Sequence, residues 1–328
     1  MKRKLVKQGG SALTVTLPAE WVKSKSLQAG DSVTLTERAG DLTITTSETQ
    51  EQPRTFRINI DRMGRSLVNR YLDEFYCQGA DKIIIEHTKN LLPSLRTGEK
   101  DKVTEFINQM MERFMGMEIV SQTEGRIVIQ SLLRPESAEN SELVKQKVFN
   151  MLKELISEFN RSMKGGFNSF NKTLPGRYNN LKRFTNYYCR QLRLSDQDPV
   201  AVMNEISLIR AIEKAAGKLR RTGDKVSEMK KIDRGFMKLT EDILTTGMDL
   251  VKIAFEKGII VDEIEKTTEK RYKVMHELEK GKHTPEEYRA LLECKLFLDL
   301  INDAMDVYVA RNAKDRQVTP AKDGSGPR

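Results

Sequence analysis

Cysteine, histidine and tryptophan are scarce in this 328-residue chain, which has three, three and one of them. Cys77, Cys189 and Cys294 stand far apart and form no Cys-x-x-Cys pair. That argues against a zinc or disulfide framework and suits reduced thiols packed as small hydrophobes in a cytosolic protein. His87, His276 and His283 lie apart from one another and from the acidic clusters, so they supply no ligand pair. There is no Gly-x-Gly-x-x-Gly, no phosphate-loop lysine motif and no nucleophile elbow, and Lys164-Gly165-Gly166-Phe167 is too short to argue for phosphate. No constellation points to catalysis, and a non-enzymatic role is expected. No run reaches the roughly 18 apolar residues of a membrane span, so no membrane insertion is expected. The first six residues carry the charge of a signal peptide. However, Lys7, Gln8, Gly9 and Gly10 stand where an apolar core of about 7 to 15 residues is needed, so a cytoplasmic location is expected.

What is plentiful is charge: 31% of residues are charged, with a formal net of +9. An excess of that sign favours a polyanionic partner, nucleic acid or an acidic membrane surface. The length exceeds what one core usually fills, which predicts two or three domains.

The hydrophobic period changes along the chain. Leu13–Leu17, Ser32–Thr36 and Leu42–Thr46 alternate apolar and polar residues rich in Val, Ile and Thr, as half-buried strands do. Pro18 opens a short helix, Gly40-Asp41 reads as a hairpin turn, and 47–53 reads as a linker. From 54 to 133 the order strand, helix, strand, helix and hairpin predicts a small βαβαββ layer. After about Ser137 six helical segments follow, at about 139–172, 176–195, 199–222, 225–257, 259–281 and 285–312. Thr173–Gly176, Asp196–Pro199, Thr222–Asp224, Lys257-Gly258 and His283–Pro285 serve as the breaks. The first carries an apolar stripe through Leu143, Val144, Val148, Leu152, Leu155, Ile156, Phe159 and Met163. Helix lengths recur in a way that predicts two three-helix bundles, each burying its stripes internally. Lys218–Arg221 reads as a charge complement at a helix C-terminus. The final residues lack a period and are expected to form a disordered tail at 313–328.

The first 48 residues are too few to close a core alone, and they hold no metal or disulfide candidates. An interlocked dimer is the physical expectation, with the Lys2–Lys7 cluster presented twice about a twofold axis, an arrangement suited to a duplex. The same lysines would also serve as a solvated edge that discourages aggregation. Trp21 and Val22 are expected in the core.

The stretch from Arg3 to Leu35 resembles the AbrB family of swapped-hairpin DNA-binding domains. The resemblance rests on a basic first strand, Gly9-Gly10-Ser11, an alternating second strand, Leu17-Pro18 before a helix with Trp21, and Leu27-x-x-Gly30-Asp31 before the third strand. It implies an intertwined homodimer that binds DNA, with Arg3, Lys4, Lys7, Gln8 and Ser11 facing DNA and Arg38 a further candidate.

The remainder resembles the PhoU family of phosphate-uptake regulators, through the order of Arg70–Glu86, Met115–Leu133, Arg183–Leu194 and Leu208–Leu219. That resemblance implies two repeated three-helix bundles with carboxylates four apart on facing helices, able to hold iron or zinc. In the first repeat Asn179, Asn180 and Lys182 stand where the acidic motif belongs. Glu213 keeps its place and Gly217 replaces an Asp, so the first site is expected to be lost. In the second repeat, Asp299, Asp303 and Asp306 share one helix face and Glu265 and Glu269 lie on the preceding helix. These are either an iron or zinc site or a solvated acidic stripe.

The expected architecture is multidomain and mainly α. It comprises an AbrB-like dimeric β-barrel at 1–48, an α/β segment at 54–133, and PhoU-like bundles at 137–223 and 224–312. The expected function is DNA-binding regulation of phosphate uptake, with the bundles receiving the signal. The alternative is an adaptor that contacts a phosphate transporter or regulatory protein and uses its N-terminus only to dimerise.

Overall fold

The computed structural model describes residues 2–10, 12–38, 41–46, 53–95, 97–132, 141–195, 197–255 and 261–315. They form two compact units, Met1–Gln52 and Pro53–Arg328. Gly40 and most of 47–53 lie outside the described residues, as do Lys257-Gly258 and the tail beyond 315.

In the first unit β1 (Val6–Gln8) pairs antiparallel with β2 (Ala12–Thr14), with Lys7 opposite Leu13. Gly9 takes φ +72° in the turn between them, a left-handed conformation that glycine adopts without steric cost. Pro18 caps α1 (Ala19–Ser24). Asp31 then closes the next turn by accepting the Gln28 amide at 2.6 Å, with Gly30 at φ +99°. β3 (Val33–Arg38) pairs antiparallel with β4 (Asp41–Thr46). None of the described residues of this unit is buried, and Trp21 and Val22 are half-buried. Leu13, Leu35 and Leu42 remain 62%, 58% and 61% exposed. Each forgoes most of the roughly 1.5–3 kcal/mol that full burial of a leucine supplies.

The second unit opens with a four-stranded sheet ordered β5-β6-β10-β9, in which β5 (Thr55–Asn59) and β6 (Lys82–Glu86) are parallel and β9 (Met117–Thr123) and β10 (Arg126–Ser131) form a hairpin. α2 (Arg65–Cys77) connects β5 to β6, and α3 (Val103–Met111) precedes β9. Between β6 and α3 the chain inserts a small hairpin, β7 (Leu91–Pro93) with β8 (Lys100–Lys102), which the sequence pattern does not announce because three residues are too few to show a period.

Six helices follow: α4 (Ser141–Met163), α5 (Phe167–Leu194), α6 (Pro199–Ser227), α7 (Arg234–Phe255), α8 (Val261–Lys280) and α9 (Pro285–Asp315). α5 packs on α2, α4 and α6, while α9 lies along α6 and α7. Buried residues from Ile58 to Met305 make one continuous core, including the stripe Val148, Leu152, Leu155, Ile156, Phe159 and Met163.

Two of the expected helix breaks lie inside helices. The first turn falls at Lys164–Gly166 rather than at Thr173–Gly176, and Pro175 sits within α5. α6 runs through Thr222–Asp224 to Ser227. Gly223 is there for packing, since a Cβ on it would stand 2.5 Å from Leu174 Cδ2 and 2.6 Å from Asn171 Oδ1 of α5. Lys218–Arg221 is therefore not a helix end, and Lys218 instead reaches Glu293 of α9 at 3.2 Å. α9 continues to Asp315, past the expected boundary at 312.

These contacts give two expected outcomes. Gly223→Ala, and likewise Gly247→Ala, where a Cβ would meet Phe297 Cε1 at 2.5 Å, destabilises by about 1–3 kcal/mol in urea unfolding. Gly217→Ala, whose Cβ finds Tyr178 at an ordinary 3.5 Å, is neutral or gains up to about 1 kcal/mol from helix propensity. The second outcome concerns alkaline stability. Burial pushes the Cys294 thiol up to about 12, against a hydrogen bond to Thr222 that opposes the shift. The folded state keeps this proton where the unfolded chain releases it. Stability therefore falls by about 1.4 kcal/mol per pH unit above about pH 9, and the fall is shallower in Cys294→Val. Equal slopes for the two proteins would contradict this.

Candidate functional site

The six residues expected to face DNA are not equally placed. Arg3 and Lys4 precede β1, Lys7 and Gln8 lie within it, and all four are exposed. Alternation along the strand sends Lys7 to one face, with Leu13 opposite it, and Gln8 to the other, with Ala12. Arg3, Lys4 and Lys7 make no ion pair among the described residues, so their charges are available to an outside anion. Ser11 lies outside the described residues. Arg38 ends β3 opposite Asp41, away in sequence from the basic arm.

A second set of charged groups is gathered inside the second unit. Lys182 on α5 places Nζ 2.6 Å from Asp73 Oδ2 of α2 and 4.0 Å from Glu213 Oε1 of α6. The side chains of Lys182 and Asp73 are each only 10% exposed. Asp73 also accepts from Asn69 Nδ2 at 3.0 Å and from Asn186 Nδ2 at 3.2 Å. Glu213 accepts the Tyr178 hydroxyl at 2.7 Å and lies 3.7 Å from Arg210 Nη1. Arg210 donates through Nη1 to Asn186 Oδ1 and through Nη2 to Cys77 Sγ, both at 2.8 Å. Arg113, after α3, bridges Asn69 at 2.9 Å and Asn179 at 3.1 Å.

The two carboxylates thus face Lys182 and Arg210 in a buried lattice that spans α2, α5 and α6, with Arg113 bridging its asparagines. Burial and the Glu213 charge raise the Tyr178 hydroxyl far above its ordinary range, so it stays protonated and donates. The Cys77 thiol is raised by burial, whereas Cys189 is lowered by its hydrogen bond to Cys77, with Arg210 contributing. All three cysteines are free and buried.

Lys182, Glu213 and Gly217, which the sequence reading singles out, do meet here. Gly217 makes room for the Tyr178 ring at 3.5 Å. The sequence reading misses Asp73, Arg210 and Cys77. Their signal is polarity on a buried stripe: Asn69 and Asp73 lie at helical spacing beside Val68, Leu72 and Tyr76, the apolar residues that α2 buries.

The acidic residues of the last two helices are not brought together. Glu265, Glu269, Asp303 and Asp306 are exposed. Asp299 is held by Lys295 at 2.5 Å and Arg271 at 3.6 Å. Among the described residues no three His, Cys, Asp or Glu side chains are placed to hold a metal ion. Of the two readings of this stripe, iron or zinc site and solvated acidic face, the described cations at Asp299 fit the second.

Comparison with known proteins finds one family model, described as antidote-toxin recognition MazE, bacterial antitoxin, which matches residues 6–51. The match overlaps the stretch of the swapped-hairpin resemblance and supports an AbrB-type head; α2 to α9 lie outside it. No curated protein and no solved structure matches the chain.

The buried lattice predicts a large coupling. Lys182→Met leaves Asp73 without its cation and costs about 3–5 kcal/mol in urea unfolding. Adding Asp73→Asn recovers part of that loss, and strict additivity of the two substitutions would show that the pair is uncoupled.

Proposed function

We propose that the protein is a DNA-binding regulator that grips duplex DNA through the basic arm of its N-terminal unit. The observation carrying this reading is the AbrB-type head, marked by the match at 6–51; Lys7 within the match and Arg3 and Lys4 just before it are exposed and make no ion pair among the described residues. Every described apolar side chain of that unit is at least partly exposed, which supports a homodimer through this unit: a second copy would cover Leu13, Leu35 and Leu42 and present two basic arms to one duplex. The helical unit, in this reading, receives the signal. Regulation of phosphate uptake is its finer form, supported by the order of PhoU-like segments alone. No described helix is long and apolar enough to cross a membrane.

The description of the matching family favours a second reading, in which the head engages a protein toxin and represses through that complex. The two readings share the dimer and differ in what fills the exposed face.

Titrating salt against binding to a random-sequence duplex tests the first reading. Each phosphate contact contributes about −0.9 to the slope of log affinity on log salt. A slope of at least about −4 is expected if the two arms of a dimer each make two or more contacts. It shrinks by more than half in Lys4→Glu/Lys7→Glu. A flat response, or no loss on reversing both lysines, overturns DNA binding by the head and leaves the toxin-binding and adaptor roles.

A further inference from the structure

The helical unit carries its own basic surface. Residues 161–172 hold three basic side chains and no acidic one, and residues 221–238 hold six basic and three acidic. The excess of six in these two short stretches compares with +9 for the whole chain. The two stretches lie at the same end of the helices, where the α4–α5 and α6–α7 turns meet. Leu174 and Asn171 of α5 touch Gly223 of α6, while Arg161 and Lys164 of α4 line a cleft with Glu241 and Thr245 of α7.

The acids in these stretches are engaged. Asp224 pairs with Arg220 at 3.5 Å and Glu228 with Lys225 at 3.1 Å. Asp233 accepts the Gly235 amide at 2.6 Å, which lowers its carboxyl and commits it to the start of α7. By contrast Arg161, Lys164, Arg221, Lys230, Lys231 and Arg234 are exposed and make no ion pair among the described residues. Helix-end electrostatics accounts for Arg161 and Lys164 at the C-terminus of α4 but not for Lys230, Lys231 and Arg234. Those three crowd the N-terminus of α7, where the helix dipole is positive and the first turn holds no acid.

We infer that this end of the helical unit is a second surface for duplex DNA, contacting phosphates without reading bases. None of the large exposed hydrophobic side chains falls in 161–172 or 221–238. Without exposed aromatic rings the surface lacks the stacking platform that single strands use, and without an apolar anchor it lacks what a protein hot spot or a membrane surface needs. Exposed Lys and Arg that make no ion pair among the described residues are what duplex phosphates require. The inference rests on the DNA reading for its choice of polyanion but not on the head's residues.

The experiment uses the full chain and a random-sequence duplex across a salt series, with four proteins. They are the parent, a head variant (Lys4→Gln/Lys7→Gln), a helical variant (Lys230→Gln/Lys231→Gln/Arg234→Gln) and a control that removes equal charge from exposed positions of α8 (Lys266→Gln/Lys273→Gln/Lys280→Gln). The helical variant is expected to lose between about 1 and 3 in salt slope and more than fivefold in affinity at low salt, with the control unchanged. The head variant is expected to keep weak, salt-dependent binding. A helical variant that binds like the parent overturns this surface while leaving the head reading intact. A head variant that binds like the parent while the helical variant fails overturns the head reading and supports this one. Equal losses in the helical variant and the control reduce the effect to net charge and overturn it.

Discussion

The Lys182 ammonium is the constraint on which the second unit turns. Asp73 comes from the α/β layer and Glu213 from α6, and α5 runs between them carrying the cation that lets both carboxylates be buried. A buried carboxylate without a partner is costly, so the alternatives are a proton, a metal ion or a fixed cation of the chain itself. Here the third is used. Arg190 repeats the device further along α5: it reaches the carbonyls of Tyr76 and Ala80 at 3.0 and 2.9 Å and so satisfies the C-terminus of α2. One helix therefore holds the sheet layer by its cations and the other helices by its apolar stripe. The sheet layer and helices share one core as a result.

How far the sequence could be read follows from the range of the interactions involved. β6 is visible at Lys82–Glu86 because three consecutive isoleucines between charged ends form a local pattern. The stripe of α4 is visible because helical spacing repeats over six turns. Pro175 and Gly223 mislead because both are read as local punctuation, while their roles are set by what lies across the helix interface. Asp73 and Lys182 are more than a hundred residues apart, and no periodicity connects them. At Asp299 the spacing shows which carboxylates share a face but not that Lys295 and Arg271 reach it.

The two units differ in how complete they are. The helical unit buries aromatic and aliphatic side chains in depth, whereas the head leaves Leu5, Leu13, Leu35 and Leu42 largely exposed. Its described turns are well specified locally, by Gly9 between β1 and β2 and by Gly30 and Asp31 before β3. What it lacks, among the described residues, is any buried side chain. Local geometry and depth of burial are thus separated in this head.

The chain's single tryptophan, Trp21, belongs to that unfinished head, half-buried on α1. The helical unit contributes tyrosines but no indole. Emission excited at the red edge of the absorption band therefore originates from the head alone. The protein carries a built-in optical label on its least buried part, while the large helical core stays dark at that wavelength.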